Sequence, residues 1–164
     1  MNDSLPQLIT VLREELQQYG EMLALLDRQQ ELVIGRAANE LLDNVAAINA
    51  QTSVIQLVRR ERGARQSDVA RQFHVADDAS FAELVAALPE PHGLLVNALV
   101  KENNQCLHQV RQRVSQNHLL LTRSVDLTQR LLATLLAATE KTVYQGDGSV
   151  TPVTPVRRLC DAVG

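Results

Sequence analysis

The stretch PHGLLVNALVKENNQCLHQVRQRVSQNHLLLTRSVDLTQRLLATLLAATEK (Pro91–Lys141) decides the fold. Within it no proline follows Pro91, no glycine follows Gly93, and apolar residues recur at steps of three and four. That spacing is typical of one long helix with a buried stripe. Such a helix would be roughly 75 Å long, whereas a compact domain of this size has a radius of gyration of ~15 Å. Other helices must therefore pack along part of this helix. The part that they leave uncovered must have another reason to be exposed.

The buried stripe of this helix is predicted from its periodicity. Its apolar members are Leu95, Leu99, Leu107, Val110, Val114, Leu121, Val125, Leu132 and Leu135. Asn103, Asn117 and Ser124 interrupt it. A polar residue on such a seam can fix the register of two helices, or its side chain can point along the seam toward solvent. The sequence leaves both interpretations open.

The last part of the helix is apolar on several sides, with leucines at Leu127, Leu131, Leu132, Leu135 and Leu136. Leucines spread so widely must be buried, either in the chain's own core or against a partner. An amphipathic partner helix would find apolar anchors at helical spacing in Leu127, Leu131, Leu132 and Leu135. We weigh both interpretations equally.

The rest of the chain predicts an all-α fold. Helices are expected at about 4–33, 37–73, 80–88 and 92–141, from heptad periodicity and from the breaks at Gly35, Pro89 and Pro91. In the second helix the predicted seam is Leu41, Val45, Ile48, Thr52 and Ile55. Ser80 and Glu83 fit a capping box at the start of the short third helix. We expect an elongated antiparallel bundle of three long helices with a short capping helix (residues 1–148), followed by a flexible tail (residues 149–164).

Composition excludes several functional classes. A net charge of -3 and 2% aromatic residues give no basic field and few stacking platforms, so nucleic-acid binding is not expected. No run approaches the ~18 apolar residues that span a bilayer, and no secretory signal is visible. Cys106 and Cys160 are expected to be reduced thiols. These features favour a soluble cytoplasmic protein.

No catalytic constellation, metal site or cofactor motif is recognisable. His108 and His118 lie ten positions apart, out of phase on a helix, with no carboxylate that completes a metal ligand set. The enzyme-like alternative is a histidine phosphotransfer bundle that uses His92, although no lysine lies near a histidine in the sequence. We expect no enzymatic activity and no cofactor.

Arginines gather near the end of the second helix, at Arg59, Arg60 and Arg62, with Arg65 beyond them. They could form a patch for an anionic partner. The favoured interpretation is a solvated helix face, which is the commoner role of such charge runs.

Three segments resemble the FlgN family of flagellar export chaperones. Leu57–Arg62 (LVRRER) resembles the family's leucine-then-arginine segment on the second helix. Ser115–Leu120 (SQNHLL) resembles its Asn-Gly-x-Leu-Leu segment, with His118 where the family usually has glycine. Thr142–Gly148 (TVYQGDG) resembles its tyrosine followed by an Asp-Gly turn. Their order on three long helices carries the resemblance across nearly the whole chain.

The resemblance implies a cytoplasmic, non-enzymatic escort for the hook-associated proteins FlgK and FlgL. Such a chaperone binds their C-terminal helices, prevents premature assembly and delivers them to the flagellar type III export apparatus. The C-terminal part binds the substrate, and Tyr144 matches the tyrosine linked to docking on the export gate. A homo-oligomer of the free chain is also plausible, and the main competing hypothesis is a structural coiled coil that only self-associates.

Overall fold

The computed structural model describes the backbone of residues 4–143 and the side chains of residues 4–137. This part of the chain forms four helices, α1 (Ser4–Ile34), α2 (Ala38–Gln72), α3 (Phe81–Ala87) and α4 (His92–Val143), and contains no strand. The fold class is all-α. The helix bounds expected from the sequence lie within two residues of these bounds. The expected tail, residues 149–164, lies outside the described residues.

Two compact units divide the chain between Ser124 and Val125. The first unit holds α1, α2, α3 and the part of α4 that ends at Ser124. The described part of the second unit is the remainder of α4, from Val125 to Val143.

The turn between α1 and α2 forms at Gly35, as the sequence predicts, but the strained residue is its neighbour. Arg36 has a φ of 55°, in the left-handed region that non-glycine residues seldom adopt. The Ala37 N–H donates to the Leu32 carbonyl at 3.1 Å, which satisfies one of the free carbonyls at the end of α1.

α1 and α2 run antiparallel, and amide side chains join them. Asn44 Nδ2 donates to the Leu25 carbonyl at 3.0 Å, and Gln51 Nε2 donates to the Gln18 carbonyl at 3.1 Å. The expected α2 seam is therefore partly wrong, because Val45 and Thr52 are exposed. From residue 41 to residue 62 the buried and half-buried positions are Leu41, Asn44, Ala47, Ile48, Gln51, Ile55, Val58 and Arg62, so Leu41, Ile48 and Ile55 lie on the seam as expected. Asparagine and glutamine can lie on this seam because helix α1 offers them carbonyl oxygens.

α1 and α4 run parallel, in one constant register. Asn103 Nδ2 donates to the Leu12 carbonyl at 2.9 Å, and Asn117 Nδ2 donates to the Leu26 carbonyl at 2.7 Å. The separation along the chain is 91 residues in both pairs. Both asparagines are buried, at 4% and 2% exposure, so they lie on the seam and do not point to solvent. This arrangement is the one in which a polar residue fixes register at a cost in stability.

The predicted α4 stripe is wrong at five of its positions: Leu95 and Val114 in the first unit, and Val125, Leu132 and Leu135 beyond it, are exposed. Leu95 and Val114, expected on the seam, are 38% and 49% exposed, whereas Val96 is completely buried. In the first unit the face of α4 that contacts α1 passes through Val96, Leu99 and Asn103, so Leu99 and Asn103 lie where the sequence places them and Val96 takes the position expected for Leu95.

Two apolar clusters fill the first unit. The larger joins all four helices, and its buried members are Leu5, Leu8, Ile9, Leu12, Val69, Ala70, Leu84, Leu88, Val96 and Leu99. The smaller joins α1 to α2 through Tyr19, Met22, Leu26 and Ile55, with Cys106, Leu107 and Val110 of α4 against it.

The short helix α3 is fixed by the predicted capping box. The Glu83 N–H donates to Ser80 Oγ at 3.3 Å, and the Ser80 N–H donates to Glu83 Oε2 at 2.8 Å. These two bonds satisfy amides that the first helical turn leaves free. They hold Leu84, which is completely buried, in the larger cluster.

Candidate partner-binding surface

Residues 125–137 of the second unit present six large apolar side chains to solvent, which we call the leucine face. Its members are Val125, Leu127, Leu131, Leu132, Leu135 and Leu136, with exposures of 56%, 61%, 62%, 54%, 63% and 67%. Every side chain from Val125 to Ala137 is exposed. All four leucines proposed from the sequence as partner-binding residues are therefore accessible on one helix. Their binding to a partner stays a prediction.

The leucine face occupies one half of the helix. At 100° per residue, its six members fall within an arc of about 180°. Thr128 lies within the same arc, between Leu135 and Leu132, and the other half carries Asp126, Gln129, Arg130, Ala133, Thr134 and Ala137. An amphipathic helix that packs on one neighbour needs an apolar stripe of about 100° or more, so the leucine face is unusually wide.

The register of α1 explains where the exposed part of α4 begins. An offset of 91 residues pairs Val33 with Ser124, and α1 ends at Ile34. In this register Ser124 is the last residue of the first unit with which α1 can pair. Sequence periodicity alone did not give this limit, because it needs the register between two helices that are distant in the chain.

This surface can bind an apolar partner by burial alone. Covering one leucine side chain contributes about 1.5–3 kcal/mol relative to leaving it in water. The two charged side chains of residues 125–137, Asp126 and Arg130, lie on the opposite half and pair with each other at 3.6 Å. A helix with an apolar stripe is the ligand that such a surface accepts.

The arginine patch proposed from the sequence is divided by the fold. Arg59 and Arg60 are exposed, and they form no ion pair with any side chain of residues 4–137. Arg62 instead points into the first unit, where its side chain is 26% exposed. An anionic-partner role stays a prediction, and of the three arginines proposed from the sequence Arg59 and Arg60 are the exposed ones.

A buried polar group forms around Glu15, and sequence reasoning missed it. Arg62 Nη1 donates to Glu15 Oε1 and Oε2 at 3.0 and 3.1 Å, and Tyr19 Oη donates to Glu15 Oε1 at 2.8 Å. Burial, then the hydrogen bond to Glu15, raises the pKa of Tyr19 to about 12. The Arg62 guanidinium also lies 5.8 Å from the centroid of the Phe81 ring. The group joins α1, α2 and α3, and each of its members serves another protein side chain, so we assign it a structural role.

Chemically reactive side chains are dispersed. Among the described residues no group of three or more His, Cys, Asp or Glu side chains is placed to hold a metal ion. Cys106 is half-buried, and burial raises the pKa of its thiol. His92, His108 and His118 are exposed. Tyr144 lies outside the described residues.

Across the described residues, no helix has the length and apolar character that a membrane-spanning segment requires.

Comparison with known proteins gives one match. A family model described as FlgN protein matches residues 1–152. No curated protein and no solved structure matches the chain.

Proposed function

Since the chain belongs to the FlgN family, whose members are flagellar export chaperones, we propose that it escorts hook–filament junction proteins in the cytoplasm. The family match covers most of the chain, both units included. The chaperone binds the C-terminal helices of these proteins, prevents their premature assembly and delivers them to the type III export apparatus. The finer architecture that we propose is an elongated antiparallel bundle of three long helices with a flexible tail.

The observation that supports this proposal is the leucine face. Hook-associated subunits assemble through amphipathic helices, and such a helix can be kept unassembled by covering its apolar stripe. Leu127, Leu131 and Leu132 are more than half exposed and have helical spacing. Their side chains supply the apolar anchors that helix-in-groove recognition uses.

We propose that residues outside the leucine face deliver the bound subunit to the export apparatus. Tyr144 follows the last described residue of α4, and we propose that it contacts the export apparatus. An aromatic ring with a polar tip is a frequent hot spot in protein interfaces. Arg59 and Arg60 are proposed as a second contact, for an acidic surface of the export apparatus.

Binding of a hook-associated C-terminal helical segment by the full chain tests the proposal. Titration calorimetry should give a stable one-to-one complex with the wild type. The Leu127→Ser, Leu131→Ser double variant should bind at least about a hundredfold more weakly, because two apolar anchors are lost. Ala133→Ser, on the opposite half of the same helix turn, is the matched control and should bind as the wild type does.

Two outcomes would contradict the proposal. The first is a wild-type chain that binds no hook-associated segment. The second is a tight oligomer of the free chain that persists at nanomolar concentration and excludes the segment, which would support the self-associating coiled coil. The role of Tyr144 is separable: Tyr144→Ala should keep the affinity for the segment and lower export of the subunit from cells.

A further inference from the structure

We propose that the leucine face binds two helices of its partner side by side. This inference rests on the proposed function, because it concerns the occupant of the same surface. It follows from comparing the two parts of α4, one covered by α1 and the other exposed.

One half of the leucine face continues the side of α4 that contacts α1. Leu131 lies two heptads after Asn117 and four after Asn103, the residues that bind the α1 carbonyls. Leu127 lies four heptads after Leu99, which is buried in the larger cluster. We call Leu127, Leu131 and Leu135 the first stripe. A single helix placed on the first stripe would repeat the contact that α1 makes with α4 in the first unit.

From Asn103 to Ser124, the part of α4 that follows the register with α1, the other half of the leucine face has no apolar equivalent. Val125 and Leu132 occupy the heptad position that Asn104, Arg111 and His118 hold earlier in α4. Leu136 occupies the position of His108, Ser115 and Thr122. All six of these upstream side chains are exposed and polar. We call Val125, Leu132 and Leu136 the second stripe. A helix placed as α1 is would leave the second stripe in water.

The width of the leucine face matches a helix that has two neighbours. α1 contacts both α2 and α4. Its buried residues occupy four of the seven heptad positions. The first position holds Leu5, Leu12, Tyr19 and Leu26, the second Leu8, Glu15, Met22 and Gln29, the third Ile9, and the fourth Val11 and Leu32. The six members of the leucine face occupy five heptad positions. An apolar stripe that faces one neighbour is about 100° wide or more, so an arc of about 180° gives room for two helices side by side.

The chemistry of the two partner helices follows from the same surface. No charged side chain lies within the leucine half of residues 125–137, since Asp126 and Arg130 are on the other half. The partner therefore presents two apolar stripes, one to each stripe of α4, as a helical hairpin or a pair of helices from one subunit does.

The experiment compares two probes and three variants of the full chain. The probes are a synthetic single C-terminal helix of a hook-associated protein and the intact monomeric hook-associated protein. The variants are Leu127→Ser with Leu131→Ser, Leu132→Ser with Leu136→Ser, and the control Ala133→Ser with Ala137→Ser. All substituted residues are exposed, and far-ultraviolet circular dichroism checks that each variant is folded.

The affinity for the single helix should fall at least about a hundredfold in the first-stripe variant and less than about twofold in the second-stripe variant. The affinity for the intact subunit should fall at least about tenfold in both stripe variants. The control variant should bind both probes as the wild type does. A second-stripe variant that binds the intact subunit as the wild type does overturns the inference while the proposed function stands. A free chain that dimerises through the second stripe, detected by sedimentation, also overturns it. A wild-type chain that binds neither probe would contradict the proposed function itself.

Discussion

Arg62 Nη1 donates to both carboxylate oxygens of Glu15, at 3.0 and 3.1 Å, and so ties α2 to α1 where Glu15 is completely buried. Removing one partner of such a pair leaves a buried charge without compensation. Arg62→Met should therefore lower the free energy of unfolding by about 3 kcal/mol, measured by urea denaturation. Arg60→Met, on the exposed side of the same helix, should change it by less than about 0.5 kcal/mol. The Glu15→Leu, Arg62→Met double variant should regain much of the loss; equal stability of Arg62→Met and wild type would show that the pair contributes nothing.

Tyr19 makes stability depend on alkaline pH. Its pKa is raised to about 12 in the folded chain, against an ordinary value near 10. The folded state thus keeps a proton that the unfolded state loses, so the stabilisation is complete below pH ~10 and falls as pH rises toward 12. Tyr19→Phe should flatten this part of the stability profile. The chain has two tyrosines, so ultraviolet titration of a Tyr144→Phe variant reports Tyr19 alone, and a titration midpoint near 10 would contradict the prediction.

The two asparagines of α4 should fix register at the expense of stability. Asn103 and Asn117 each have a buried Oδ1 atom to which no group in residues 4–137 donates. Replacing both with leucine removes these acceptors and adds apolar area, so the urea midpoint should rise by an amount equivalent to about 1–2 kcal/mol. Amide hydrogen exchange in α1 should become faster and less uniform, because more than one alignment of α1 on α4 becomes accessible. Slower, uniform exchange in the variant would contradict the assigned role.

The capping box should contribute to the first unit through α3. Ser80→Ala removes the acceptor for the Glu83 N–H and should cost about 1 kcal/mol. The hydrogen bonds that the Ser80 hydroxyl and N–H donate lower the pKa of the Glu83 carboxyl. The stabilisation that the ionised Glu83 carboxylate contributes is therefore present at neutral pH and is lost as pH falls through that lowered pKa. Glu83→Gln is the matched control, because its side chain keeps an acceptor oxygen but has no carboxyl group to titrate. It should lower the free energy of unfolding by less than Ser80→Ala does, and by an amount that does not change with acid pH. Chemical denaturation at several acid pH values measures both variants.

Local sequence rules predicted the helices well, because their signals lie within a few residues. Gly35, Pro89 and Pro91 mark breaks by their backbone restrictions, and Ser80 with Glu83 marks a helix start. The family followed from short segments and their order, and the match over residues 1–152 confirms it. The accessibility of the leucine face was left open, because it depends on where α1 ends relative to α4.

Tertiary contacts of polar residues were the part that sequence reasoning missed. Asn44 and Gln51 were passed over as seam residues because polar side chains usually face solvent, yet each donates to a carbonyl of α1. Glu15 and Arg62 are 47 residues apart in the chain, and no local pattern links them. One signal was available: Glu15 lies at the heptad position of Leu8 and Met22, so a helix with that stripe buried must also bury a carboxylate and supply its counterion.

The constant 91-residue offset between Asn103 and Leu12 and between Asn117 and Leu26 restricts how this chain can change in length. A seven-residue deletion from α4 between the two asparagines would bring Asn117 level with Tyr19, where the bonds to Leu26 and Gln29 are lost. Matched deletions of one heptad in α1, α2 and α4 would restore every pairing at a shorter span. Related chains of different size should therefore vary by whole heptads, gained or lost in all three long helices together.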